Sequence, residues 1–179
     1  MQVAHNWNKS GNDYMTPSFY NAKTITSIAI SQKSALTGAM GNYFMYYYAR
    51  GCSSLTSLDV PDTSGLESVG TSFMRSYAYD CSKLTSLDVP DTSGLTSVGD
   101  YFMYAYAYGC SKLTSLAVPD TSGLTSVGSA FMYYYAYGCS SLAKLVLPAV
   151  GWFEDNNVSW GVPSGRLGVL KGRVLNRMI

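Results

Sequence analysis

Residues 99–127 read GDYFMYAYAYGCSKLTSLAVPDTSGLTSV, and this 29-residue unit recurs almost unchanged through the middle of the chain. Its copies open at Gly41, Gly70, Gly99 and Gly128. A less regular copy, one residue longer, precedes them and keeps the apolar positions of the repeat. A fixed period of roughly 20–50 residues is typical of a solenoid, in which each repeat buries its apolar side only against its neighbours. The sequence therefore predicts five stacked coils.

The repeats also divide the chain into three parts. We expect an N-terminal arm in residues 1–10, the five coils in residues 11–150 and a C-terminal cap in residues 151–179, because an array needs its open end covered. The expected coil boundaries are 11–40, 41–69, 70–98, 99–127 and 128–150.

One part of each repeat has the pattern of a short strand. Leu58 and Val60 alternate with polar residues, which is typical of a strand with one buried face. Pro61 ends the strand because its ring removes a backbone donor. Residues 62–65 read Asp-Thr-Ser-Gly, a composition that favours a turn.

The aromatic part of each repeat has the pattern of a short helix. Some of its columns keep one residue type in all four full copies and others change, and the two sets interleave at spacings of three and four residues, as on the two faces of a helix. The Asn42 column holds residues that cap helix N-termini, and the Gly51 column holds glycine in three of four copies. A strand has β-propensity in its favour but explains neither the two faces nor the caps. The unchanged columns are those of Phe44, Met45, Tyr48, Ala49 and Cys52.

A strand on one side and a helix on the other would make the solenoid curve. Strands stack about 4.8 Å apart, whereas packed helices need roughly 8–10 Å. The sequence thus predicts an α/β repeat solenoid with parallel strands on the concave face and short helices on the convex face.

The order Cys-x-x-Leu-x-x-Leu-x-Val-Pro, followed by Leu-x-x-Val-Gly-x-x-Phe, resembles the BspA-like leucine-rich repeats of bacterial cell-surface proteins. The resemblance covers residues 11 to about 150. It implies a right-handed leucine-rich-repeat coil at the cell surface, used for adhesion or partner binding without catalysis. The family's usual repeat is shorter than the one found here.

Bulk composition argues against two classes of partner. Charged residues are 13% of the chain and the net charge is +1, so no general field attracts nucleic acid. No apolar run approaches the roughly 18 residues of a membrane span, so we expect no membrane insertion. Residues 1–9 lack the basic start and apolar core of a secretion signal.

The positions of the cysteines and of the one histidine argue against disulfides, against metal binding and against catalysis. Cys52, Cys81, Cys110 and Cys139 share one column, so stacking would place them in a ladder of parallel, buried thiols rather than in facing pairs. Such a ladder does not converge as a zinc site requires. His5 is the only histidine and precedes the repeats, which leaves no nucleophile–histidine pair there. We expect no enzyme activity, no cofactor and no metal.

The changing columns of the aromatic segment are the candidate partner-binding surface. Tyrosine mixed with Ser, Ala and Arg is typical of recognition surfaces, since the ring offers a large, stiff contact area at low entropic cost. We expect it to recognise a protein or glycan on another cell. The predicted binding residues are Tyr43, Tyr46, Tyr47, Arg50, Arg75, Tyr79, Tyr101, Tyr104, Tyr108, Tyr133, Tyr134 and Tyr137.

Other interpretations of the same residues stay open. The rings could instead pack against neighbouring coils, in a structural spacer or a self-associating segment of a larger surface or phage-tail assembly. A constant framework with one variable face would also suit a diversified receptor-binding protein. Asp59 and Asp88, adjacent on the expected concave face, form a rival site, although copied aspartates more simply form turns or meet solvent.

Overall fold

The computed structural model describes residues 2–3, 18–31 and 34–146, which form a parallel β-solenoid of about four turns. The expected solenoid of stacked repeats is therefore confirmed. His5, the start of the first coil and the whole predicted cap in residues 151–179 lie outside the described residues.

Short parallel strands run along two sides of the stack. One side carries β1, β2 and β4 in one sheet and β7 and β9 in another, and the other side carries β3, β5, β6 and β8. The strands of the described residues are β1 (Gln2–Val3), β2 (Ser27–Ile30), β3 (Thr37–Met40), β4 (Ser57–Leu58), β5 (Gly65–Val69), β6 (Ser97–Val98), β7 (Ser115–Ala117), β8 (Ser126–Val127) and β9 (Lys144–Val146).

The register of the strands follows the repeat of the sequence. Ser97 pairs with Ser126 and Val98 with Val127, one repeat apart. In the longer first copy, Ile28 pairs with Leu58, as the aligned apolar positions predict. In the next pair of strands, a register shift between Gly38 and Ala39 passes over Glu67, so that Gly38 pairs with Leu66 and Ala39 with Ser68.

The unchanged columns form the core, as predicted. Phe102, Met103, Tyr106, Ala107 and Cys110 are fully buried, and their counterparts in the other full copies are buried as well. Identical rings stack directly on one another along the solenoid. The centroids of consecutive Phe rings lie 5.4–5.6 Å apart and those of consecutive buried Tyr rings 5.3–5.4 Å apart.

The predicted helices are absent from the described residues. The aromatic parts of the four full copies are instead turn segments, namely residues 43–51, 71–80, 100–109 and 129–138. Alternate residues at the start of each segment have positive φ, for example Tyr101 (57°), Met103 (46°) and Ala105 (52°). A right-handed helix needs negative φ throughout, so this backbone excludes it. The N–H of Tyr104 bonds to Tyr101 O and that of Tyr106 to Met103 O, which closes overlapping four-residue turns.

Hydrogen bonds between coils replace those that a helix would make internally. The N–H of Ala105 donates to Tyr133 O (2.9 Å), and that of Met103 donates to Phe73 O (2.9 Å). These bonds hold the turn segments at the same close spacing as the strands. The predicted helical convex face is therefore not confirmed, and the curvature argument, which depended on helix spacing, does not apply to these turn segments.

The predicted helix caps have other roles. Asn42 Oδ1 accepts a hydrogen bond from Thr71 N, and Asp100 Oδ1 accepts one from Ser129 N, so both side chains bridge to the next coil. The left-handed conformation predicted for the Gly51 column is confirmed, with φ of 77° at Gly51. Asp80 adopts it too, at 57°.

The four cysteines are free and buried, as expected from their shared column. The thiol of Cys81 donates to Ala49 O, that of Cys110 to Ala78 O and that of Cys139 to Ala107 O, each at 3.1 Å. Burial raises the pKa of Cys81 and of Cys139 to about 12, so both stay protonated at neutral pH.

Candidate functional site

The solvent side of the turn segments, together with Tyr20, is the candidate site, and we call it the outer face. The large apolar side chains that are exposed among the described residues are all tyrosines, and all lie on this face. Their exposed fractions are 53% for Tyr20, 43% for Tyr43, 37% for Tyr101, 37% for Tyr133 and 44% for Tyr137. The expected division between buried unchanged columns and a tyrosine-rich outer surface is therefore confirmed.

One column of the outer face is a continuous stack that we call the Tyr108 column. It contains, in order along the solenoid, Tyr20, Arg50, Tyr79, Tyr108 and Tyr137. The Arg50 guanidinium carbon lies 5.8 Å from the Tyr20 ring centre and 4.5 Å from that of Tyr79. The Tyr79 and Tyr108 rings follow at 4.4 Å, and the Tyr108 and Tyr137 rings at 5.0 Å. Each member is thus held by stacking on the next.

A second stack, the Tyr104 column, runs beside the first. It contains Tyr46, Arg75, Tyr104 and Tyr133. The Arg75 guanidinium carbon lies 5.7 Å from the Tyr46 ring centre and 4.9 Å from that of Tyr104. The Tyr104 and Tyr133 rings stack with their centroids 6.0 Å apart. Both columns therefore have one arginine among tyrosines.

The rings of the remaining predicted binding residues contact rings of these two columns, either edge-on or stacked. Tyr101 meets Tyr104 edge-on with centroids 5.9 Å apart, and Tyr134 meets Tyr108 edge-on at 6.4 Å. Tyr43 meets Tyr46 in the same way, and Tyr47 stacks on Tyr46 at 3.8 Å. The structure thus brings all twelve predicted binding residues onto one connected face.

Three positions of the changing columns are not exposed as expected. Ser72, Ser76 and Ala105 are buried. Their side chains are short, so the larger side chains of neighbouring columns and coils cover them. Tyr43 and Tyr101 occupy the same column as Ser72 and are exposed, so the size of the side chain decides whether this column reaches solvent.

The hydroxyl groups of the outer face interact with one another and with the arginines. Burial, followed by a hydrogen bond with Tyr47, raises the pKa of Tyr46 to about 12. Burial opposes ionisation of Tyr47 as well, but hydrogen bonds from Tyr46 and Arg50 and the charges of both arginines lower its pKa overall. A hydrogen bond with Tyr133 raises the pKa of Tyr134. These links fix the positions of the hydroxyls.

Stacking determines which part of each ring a partner can reach. Tyr79 covers one face of the Tyr108 ring and Tyr137 covers the other. Only the ring edge and the hydroxyl of Tyr108 therefore remain for a partner. The Tyr108 column accordingly presents hydroxyl groups and ring edges rather than open aromatic planes.

The rival aspartates lie on the strand side. Asp59 and Asp88 are exposed in neighbouring coils, and Asp59 Oδ2 accepts a hydrogen bond from Ile30 N. The aspartates of the Pro-Asp-Thr-Ser-Gly segments stabilise turns, as expected for residues copied in every repeat. Asp91 Oδ1, for example, accepts hydrogen bonds from Ser93 N and Ser93 Oγ. Within residues 18–31 and 34–146, no three His, Cys, Asp or Glu side chains gather in a way that could hold a metal ion.

Sequence reasoning missed Tyr20, the most exposed tyrosine of the outer face. Its position was accessible from the alignment of the first copy. That copy is one residue longer, and Ala22 aligns with Cys52, so Tyr20 aligns with Arg50. The irregularity of the first copy hides this relation.

Comparisons of the chain with models of protein families, with curated proteins and with solved structures give no match. In the part of the chain that the structure describes, no helix has the length and hydropathy needed to cross a membrane.

Proposed function

We propose that this chain is a non-enzymatic binding and adhesion module that recognises a protein or glycan partner on another cell surface through its outer face. The observation that carries the proposal is the concentration of exposed tyrosines there, with five rings more than a third exposed on one side of the solenoid. Packing alone would favour burying such rings, since each has a large apolar area.

Pre-organisation supports the same proposal. Arg50 and the rings of Tyr79 and Tyr108 are stacked in fixed positions by their neighbours. Side chains that are already ordered lose little entropy when a partner binds, which favours affinity. Tyrosine also combines apolar contact with a hydroxyl that donates or accepts a hydrogen bond.

We also propose a relationship between this solenoid and a known class of repeat protein. We place the solenoid near the BspA-like leucine-rich repeats on the strength of its Cys, Leu and Pro columns, as a right-handed coil whose turn segments occupy the place of the family's convex elements. That relationship would locate the protein at a cell surface. It is tested by searching for secretion in the source cell with an antibody against the outer face.

Binding of fluorescently labelled full-length protein to intact cells tests the function. We expect wild type to bind, and the variant with Tyr43, Tyr101, Tyr133 and Tyr137 changed to Ala to lose at least about tenfold in apparent affinity, because these rings are the most exposed of the four full copies. Treating the cells with protease or with glycosidases then separates a protein partner from a glycan partner.

Matched controls on the strand sides make this test specific. Changing Thr85, Ser86, Thr114 and Ser115 to Ala alters four exposed residues away from the outer face and should leave binding within about twofold. The variant Asp59→Asn with Asp88→Asn probes the rival site. If the tyrosine variant still binds cells and the aspartate variant does not, the binding site lies on the strand side and not on the outer face.

A structural spacer or self-associating segment is the second candidate, and the ring stacking favours it. Stacks such as Tyr79–Tyr108–Tyr137 stiffen the solenoid along its length without any partner. Sedimentation velocity at rising concentration distinguishes the two functions. Self-association that the tyrosine variant abolishes, without binding to any cell, would support the structural function.

A further inference from the structure

Arg50 and Arg75 are the basic residues inserted into the stacked columns of the outer face. The Arg50 guanidinium carbon lies 4.4 Å from the Tyr47 ring centre and 4.5 Å from that of Tyr79. The Arg75 guanidinium carbon lies 4.5 Å from the Tyr101 ring centre. Stacking on an aromatic ring leaves the N–H edge of a guanidinium pointing along its own plane, where it can still donate.

Neither arginine is neutralised by an acid in the part of the chain that the structure describes. No carboxylate of the described residues forms an ion pair with Arg50 or Arg75. Arg75 Nε is buried without a hydrogen-bond partner, and it is the only side-chain nitrogen or oxygen of the described residues in that condition. Arg75 as a whole is half-buried, so its guanidinium keeps hydrogen-bonding capacity that the described residues do not use in full.

The covered ring faces define the chemistry of the partner further. Tyr108 offers an edge and a hydroxyl, since Tyr79 and Tyr137 occupy its two faces. A partner that binds by flat stacking would have to displace these neighbours. A partner rich in hydrogen-bond acceptors and hydroxyls instead matches the rows of phenol and guanidinium groups.

The charge on the outer face is sparse. Its two arginines are separated by tyrosines, and Asp80 and Asp100 are exposed at the ends of turn segments. Lys23 lies near the same side, where its Nζ donates to Gly51 O. A densely charged polyanion, such as nucleic acid, needs many basic contacts along its length and is repelled by the aspartates.

We propose that the outer face binds an acidic polysaccharide whose carboxylates are separated by neutral sugars. Arg50 and Arg75 would each hold a uronic-acid carboxylate through paired N–H···O bonds, a geometry that the planar fork of arginine fits. Tyrosine hydroxyls would bond the intervening sugar hydroxyls. This inference rests on the proposed function and names the class of partner for the same face.

Hyaluronan, in which a uronic acid alternates with a neutral amino sugar, is the probe. Affinity is measured by biolayer interferometry with full-length protein against immobilised hyaluronan, neutral dextran, heparin and single-stranded DNA. We expect binding to hyaluronan and none to dextran. The double change Arg50→Gln and Arg75→Gln should weaken hyaluronan binding at least about tenfold, because hydrogen bonds to charged groups are lost.

Two further variants keep the test decisive. Lys83→Gln with Lys112→Gln removes the same net charge from exposed positions outside the turn segments and should change binding less than about twofold. Arg50→Lys with Arg75→Lys retains charge without the planar fork and should give an intermediate loss. Circular dichroism checks that each variant is folded. If the Arg-to-Gln variant unfolds, the Arg-to-Lys variant provides the test of the two guanidinium groups.

The outcomes separate this inference from the function on which it rests. Equal binding to dextran, tighter binding to heparin or DNA, or arginine variants that match wild type would each overturn the acidic-polysaccharide assignment. If wild type binds none of the four polymers but still binds cells through its tyrosines, the assignment is wrong and the binding function stands. Cell binding that survives the tyrosine variant would overturn the function itself.

Discussion

The rings of Tyr79 and Tyr108 lie parallel, with 1° between their planes and 4.4 Å between their centroids. These residues occupy the same position in consecutive repeats, on the side of the solenoid that the turn segments form. This ring separation is close to the spacing of about 4.8 Å between neighbouring strands, so the coils are about as close on the turn side as on the strand sides. That common spacing is what allows identical side chains to form columns both inside the solenoid and on its outer face.

The buried tyrosine hydroxyls should contribute to stability, whereas the outer ones should not. Tyr106 Oη donates to Asp88 O at 2.7 Å from a fully buried ring. We expect Tyr106→Phe to lower the free energy of unfolding by about 1–2 kcal/mol, because Asp88 O loses the hydroxyl that donates to it. Tyr108→Phe, on the outer face, is the matched control and should change it by less than about 0.5 kcal/mol. Urea denaturation measures both; equal losses would contradict the assignment of Tyr106 to the core.

The glycines that open the last three coils, Gly70, Gly99 and Gly128, should be intolerant of a side chain. A Cβ on Gly99 would lie 2.6 Å from Gly70 C and Thr71 N, which are backbone atoms of the preceding coil and cannot rotate away. We expect Gly99→Ala to lower the free energy of unfolding by about 3 kcal/mol.

Gly138→Ala provides the comparison for that substitution. A Cβ there would meet nothing closer than 3.4 Å, and only its φ of 75° is unfavourable for alanine. The expected loss is about 1 kcal/mol. A Gly99→Ala variant as stable as Gly138→Ala in urea denaturation would show that the coils are not packed this closely.

Stability should fall at alkaline pH because buried thiols resist ionisation. Burial raises the pKa of Cys81 from 9.0 to about 12. A group whose pKa is raised by folding contributes its full stabilisation below the unfolded pKa and loses it as pH rises through the folded pKa. We expect the urea midpoint to be constant from pH 7 to 8 and to decrease between about pH 9 and 12. Cys81→Ala should make the decrease shallower, and an identical pH profile would contradict the burial of the thiol.

The same burial predicts that the thiols react slowly. Cys52, Cys81, Cys110 and Cys139 are free and buried, and a protonated thiol is a poor nucleophile. We expect a colorimetric disulfide reagent to label fewer than about one thiol per native chain within minutes, and all four at once in denaturant. Rapid labelling of the native protein would show that the ladder of thiols is open to solvent.

The sequence was enough to predict which residues share a column and which columns are buried, because both follow from comparing one repeat with the next. The unchanged columns, such as those of Phe102 and Cys110, are buried, and the changing columns hold the exposed rings of Tyr133 and Tyr137. The left-handed conformation at Gly109 and the turn made by Asp91 were also predictable, since each depends on the local chemistry of one residue. Tyr20 needed only an allowance for the longer first copy.

The conformation of the turn segments was decided by tertiary structure alone. The spacing of buried positions Phe102, Met103 and Tyr106 fits a helix as well as it fits overlapping turns, so periodicity cannot distinguish them. What distinguishes them is the next coil, which supplies the carbonyl of Tyr133 to the N–H of Ala105. A hydrogen bond to a residue one repeat away has no counterpart in local propensity, and it stabilises positive φ values that an isolated segment would avoid. The sequence by itself determined which side chains share a column, whereas the stacking of coils decided the backbone that carries them and the ring edges that face a partner.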